Sequence, residues 1–207
     1  MKRMSPFLLM DYGPTHYFSP NNGAPRGVGS HPHRGIETVT IAYKGRVEHH
    51  DSSGGGGIIA EGDVQWMTSG SGILHKEYHE KSFSKKGGEM QMVQLWVNLP
   101  AKDKMTKPKY QNLNKKNITT VQLENRAGSV DIIAGDFEGS KGPASTFTPL
   151  SLYNVNLNKG KGSSFNFPAS HNTGLLIIKG SATINNIEKA PTNHFVLFEN
   201  DGKEFTI

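Results

Sequence analysis

The chain contains no cysteine in its 207 residues, which removes disulfides, thiolate metal ligands and a cysteine nucleophile together. It has no run approaching the ~20 apolar residues of a membrane-spanning helix. Behind Lys2 and Arg3, the apolar stretch Pro6-Phe7-Leu8-Leu9-Met10 is shorter than the roughly 7 to 15 residues of a signal-peptide core, so a cytoplasmic location without a membrane partner is expected. Blocks of one charge are also scarce. The net charge is only +5, and its densest part is Lys102, Lys104, Lys107, Lys109, Lys115 and Lys116. No recognition motif or series of stacking aromatics accompanies these lysines, so they read as a solvated linker and nucleic acid is not expected as a partner.

What the chain does have is 24 glycines, 11 prolines and a modest 34% of hydrophobic residues, the composition of many short strands and turns. Period-two alternation marks strands over 38–43, 47–50 and 64–67, and over 90–99 a strand with both faces covered. After a break of Pro, Lys and Asn over 100–116, read as an interdomain connection, strands resume at 130–134, 152–157, 165–167, 175–179, 182–184 and 195–198. The fold class is all-β, in two domains, 1–105 and 106–207, each an antiparallel β-barrel. Gly54 to Gly57 lack the Lys-Ser/Thr and helix of a phosphate cradle and read as a hairpin loop.

Chemistry concentrates in the first half. His31-Pro32-His33 and His75-Lys76-Glu77 place metal-competent side chains at alternate strand positions, hence on one face. Two glycines, Gly70 and Gly72, precede the second stretch, where a tight turn needs positive φ or close backbone approach. Three imidazoles and a carboxylate suit a divalent first-row metal: iron(II) first, with zinc, manganese, nickel or copper as alternatives. In a six-coordinate site two positions would stay open. Glu37 is the rival carboxylate, but four residues of straight strand separate it from His33 by ~13 Å. Glu77 therefore ranks first, and Glu37 is expected to accept the N–H of a ligand histidine. His49, His50 and His79 read as surface or supporting residues. His171 and His194 are solitary, so any metal is expected in the first domain.

The runs HPHRGIETVTIAYKGRVEHHDS, GDVQWMTSGSGILHKEYH and QLWVNLPAKDKM closely resemble the pirin family of the cupin superfamily, and weaker similarity extends over most of the chain. The resemblance implies a bicupin of two jelly-roll barrels. Family members carry strands before the segment matching Pro6 to Pro14 and after that matching Ile207, so both barrels are expected to be incomplete at the termini. It also implies a metal, usually iron, held by His31, His33, His75 and Glu77. The implied activity is quercetinase-type: a flavonol and dioxygen are the reactants, the ring opens with loss of carbon monoxide, and Glu77 either stays a ligand or accepts the substrate hydroxyl proton. The other readings are a metal- or redox-tuned regulatory protein with a protein partner, and a zinc-type hydrolase or isomerase.

Overall fold

The computed structural model describes residues 2–207. Its first half contains β1 (Phe7–Phe18), β2 (Gly27–His33), β3 (Ile36–Lys44), β4 (Val47–Asp51), β5 (Gly56–Ile59), β6 (Val64–Thr68), β7 (Ile73–His79), the short helix α1 (Lys81–Lys86), β8 (Gly88–Asn98) and β9 (Lys109–Leu113). All pairings are antiparallel, in a five-stranded sheet ordered β1-β8-β3-β6-β9 and a four-stranded sheet ordered β2-β7-β4-β5.

Alternation along β3 explains how the layers stack. Val39 and Ile41 leave from one face, beside Val93, Leu95 and Val97 of β8 and Trp66 of β6, and all are buried. Ile133, Ala134 and Leu150 of the second half complete this cluster. Each fully buried aliphatic side chain contributes roughly 1.5 to 3 kcal/mol, so this common core binds the two halves together. Hydrogen bonds from Tyr43 Oη to Asn154 (2.7 Å) and from Tyr12 Oη to Asn193 (2.9 Å) cross the same boundary. The opposite face of β3, with Thr38, Thr40 and Ala42, looks toward the four-stranded sheet. Between the two sheets the interior is polar around Thr38 and Thr40 and apolar around Ala42, which packs with Val47, Ile59, Phe83 and Met90.

The second half pairs Thr119–Gln122, Gly128–Ala134 and Leu152–Leu157 in a three-stranded sheet, followed by short two-stranded ladders. Its core is aromatic: Phe165, Phe167 and Phe205 stack with ring centroids 5.6 and 6.1 Å apart around Phe205. In neither half do the sheets close into a barrel. The all-β expectation holds in this open form.

One segment departs from expectation. Residues 100–116, read as a connection, include β9, which lines up with β6 from Val64↔Leu113 to Thr68↔Lys109 and forms the edge of the first sheet. An edge strand needs few apolar residues: in Lys-Tyr-Gln-Asn-Leu over 109–113 only Leu113 is buried, with Tyr110 and Gln111 half-buried. Its polarity concealed it.

Candidate metal centre

The β2–β7 ladder sets His31 directly opposite His75 and His33 opposite Ile73. β2 is the outer strand of its sheet, so Pro32 interrupts no required hydrogen bond. The turn into β7 depends on Gly70: φ is +46°, and a Cβ there would lie 2.0 Å from the Thr106 carbonyl oxygen. As a result the three imidazoles of His31, His33 and His75 converge, each offering a ligand nitrogen, with all three nitrogens within 4.8 Å of one another.

Hydrogen bonding shows how these rings are presented. His31 Nδ1 lies 2.8 Å from the Gly29 carbonyl oxygen. A carbonyl only accepts, so Nδ1 carries the proton and Nε2 has a free lone pair. His75 Nε2 lies 2.9 Å from that nitrogen. His33 Nε2 is buried without a partner, and its ring meets Trp96 edge-on at 5.1 Å. Burial, then the neighbouring His31, lowers His33 to about 4. Burial, followed by the facing His31 and His33, lowers His75 to about 3. Burial favours the uncharged ring at His33 and His75, the form that a cation requires, so the donor set fits a metal.

Glu77 stands apart from this cluster. Gln94 Nε2 donates to its two carboxylate oxygens at 2.9 and 3.2 Å, and the Thr40 hydroxyl lies 3.5 Å away. Burial pushes the Glu77 carboxyl up, against the lowering influence of Gln94, His31 and Thr40. The carboxylate is thus buried beside the imidazoles but held by a neutral donor.

Glu37 requires a correction. It shares the Val39 and Ile41 face, away from the imidazoles, and accepts from the Thr68 hydroxyl at 2.7 Å rather than from any histidine. Its expected alignment with His31 and His33 fails because Arg34 and Gly35 carry the chain from one sheet to the other. Of the remaining histidines, His50 is exposed and pairs with Glu48 at 2.9 Å. His79 packs edge-on against Phe18 and Phe83 at the far end of β7. His49 is fully buried with neither ring nitrogen hydrogen-bonded, on the strand position opposite Glu77. Its place in the interior was readable from the alternation Val47, His49, Asp51, which the adjacent His50 obscured. Among the described residues, His31, His33 and His75 are the cluster with ligand geometry.

Known proteins share both the sequence and this architecture. A family model described as Pirin matches residues 1–97. A crystal structure of quercetin 2,3-dioxygenase from Acinetobacter baumannii is 45% identical and superposes with a TM-score of 0.94 over 99% of this chain and 71% of that one. The chain belongs to the pirin family. The pirin fold is accordingly that of a bicupin, with open sheets. A Pseudomonas aeruginosa protein, provisionally named quercetin 2,3-dioxygenase, is 50% identical over 183 residues, 88% of this pirin and 64% of the relative. The chain thus spans less than two thirds of that relative's length. A bacterial pirin from Escherichia coli, solved in complex with nickel(II), shares the fold at 22% identity, with a TM-score of 0.73 over 98% of this chain and 77% of that one. No helix among the described residues is long and apolar enough to cross a membrane.

Proposed function

We propose that this pirin is a metal-dependent dioxygenase acting on a flavonol or a similar enol-bearing aromatic, with His31, His33 and His75 as metal ligands and Glu77 as the adjoining carboxylate. The convergence of three imidazole nitrogens within 4.8 Å is the observation that carries it. Iron(II) is the preferred metal, since the names of the Acinetobacter and Pseudomonas relatives refer to a dioxygenase and zinc undergoes no redox change.

A bound metal would supply Lewis acidity and, when redox-active, the electron that dioxygen chemistry needs. The chain's own residues do the rest. Glu77, raised by burial, can take the substrate hydroxyl proton on a carboxylate oxygen. Gln94 fixes the orientation of that carboxylate. Trp96, against His33, provides an apolar wall that orients an aromatic ring and limits water.

The deciding experiment is oxygen uptake with a panel of flavonols on iron-loaded and zinc-loaded protein. Consumption of flavonol and oxygen with iron alone is the expected result. Equal turnover with zinc would assign water activation instead. A fully iron-loaded protein inert to the whole panel would overturn the enzyme reading in favour of a metal-tuned regulatory protein.

A further inference from the structure

The glycines that follow Ser53 play no part in the imidazole cluster, yet their loop is folded around one carboxylate. Asp51 Oδ1 accepts from Ser53 N at 2.6 Å, Ser53 Oγ at 2.7 Å and Gly55 N at 3.0 Å. A Cβ on Gly55 would lie 2.4 Å from Asp51 Oδ2 and 3.0 Å from the Tyr110 ring. Only a residue without a side chain lets the loop close at this distance. The other oxygen, Oδ2, is buried and has no hydrogen-bond partner. Among the described residues it is the one carboxylate oxygen, and so the one obligate acceptor, left in that condition.

Asp51 of β4 lies directly opposite His75 of β7, and opposed residues share a face with their Cβ atoms about 4.5 to 5.5 Å apart. His75 Nδ1 is likewise buried and unpartnered. The His31–His75 contact explains both vacancies. His31 Nε2 is a bare acceptor because Nδ1 donates to Gly29, so His75 must supply the proton of the 2.9 Å Nε2···Nε2 contact. In that tautomer His75 Nδ1 is bare and has nothing to give Asp51.

A cation needs the lone pair on His75 Nε2. The ring stays neutral only if one proton leaves Nε2 while one arrives at Nδ1, and Nδ1–H then requires an acceptor. We infer that Asp51 is a positioning residue for His75: its Oδ2 receives the Nδ1–H when a metal occupies the imidazole cluster, so that metal binding and a tautomer switch are coupled. This rests on the proposal that His31, His33 and His75 hold a metal. The competing donor is the Tyr110 hydroxyl, which also neighbours the Asp51 carboxylate and, against burial and together with Ser53 and Gly55, lowers it; its proton is directed to Met67 Sδ at 2.9 Å, which leaves Oδ2 able to receive from His75.

Zinc is a suitable probe because it is diamagnetic, and two measurements apply: affinity by calorimetry, and long-range ¹H–¹⁵N correlation of the histidine rings in the loaded protein. Wild type should show His75 bound through Nε2, with a slowly exchanging, downfield proton on Nδ1. In Asp51→Asn the amide oxygen serves the Ser53 and Gly55 N–H groups and the NH₂ faces His75 Nδ1, favouring the bare nitrogen. Zinc affinity should fall about 10- to 100-fold and the Nδ1–H signal should be lost. Ser53→Ala keeps Oδ2 and should keep wild-type affinity. Equal losses in the two variants, or an Asp51→Asn protein with wild-type affinity and proton signal, would overturn the inference while leaving the metal site standing. The wild-type spectrum decides even without a folded variant, since zinc on Nδ1 or a freely exchanging Nδ1–H would refute it. A wild-type chain that takes up no zinc, nickel or iron overturns both this inference and the proposed function.

Discussion

Gln94 on one sheet and Glu77 on the other are joined by two hydrogen bonds, 2.9 and 3.2 Å, from a single amide nitrogen. The pair links the two layers across the polar interior and keeps a buried carboxylate satisfied next to three imidazoles. Removing the amide strands that carboxylate. Gln94→Leu should therefore cost about 1 to 3 kcal/mol in urea denaturation at neutral pH. The double variant with Glu77→Leu should recover much of the loss, because two apolar groups leave nothing unpaired.

Metal content should follow the geometry. His33→Ala and His75→Ala each remove one of three convergent nitrogens, and metal analysis after loading should find the site empty. Glu77→Gln should lower content less severely, since Glu77 is bonded to Gln94 in this arrangement. Glu37→Gln should keep full content, for its side chain accepts from Thr68 and faces away from the cluster. A large loss of metal in Glu37→Gln would contradict the sheet-face assignment.

His49 sets a pH dependence. Burial first, then His50, lowers it to about 4, below the ordinary histidine value near 6.5. Between those values the unfolded chain binds the extra proton, so the contribution of neutral His49 to stability is complete above about pH 6.5 and is lost as pH falls toward 4. Stability of His49→Leu relative to wild type should accordingly improve from pH 6.5 to 4, measured by denaturation at each pH. A difference that does not vary with pH would show that His49 is not held neutral.

The shared core makes a cooperative prediction. Ile133 belongs to the second half but is fully buried against Val39, Trp66 and Leu95 of the first. Ile133→Ala should cost about 2 to 5 kcal/mol, and urea unfolding followed by tryptophan fluorescence and by circular dichroism should remain a single coincident transition. Two separated transitions would mean that the halves are independent.

The pairings His31 with His33 and His75 with Glu77 were legible in the sequence because strand alternation is a local property: residues two apart must share a face. Most strands of the first half were legible for the same reason, and so was the turn before β7 at Gly70 and Gly72. The β9 strand was not, because its apolar positions, Tyr110 and Leu113, are three residues apart and show no period-two alternation. Which face meets which is a different matter. Glu37 follows His33 by four positions, yet the passage through Arg34 and Gly35 into another sheet turns it to the outer core. His49 and Asp51 lie far from His75 in sequence, yet antiparallel register sets Asp51 opposite it. Local spacing determined the candidate ligands. Only the tertiary structure decided that three imidazoles converge while Glu77 is held by Gln94, because strand register and the packing of two sheets depend on contacts between residues distant in the chain.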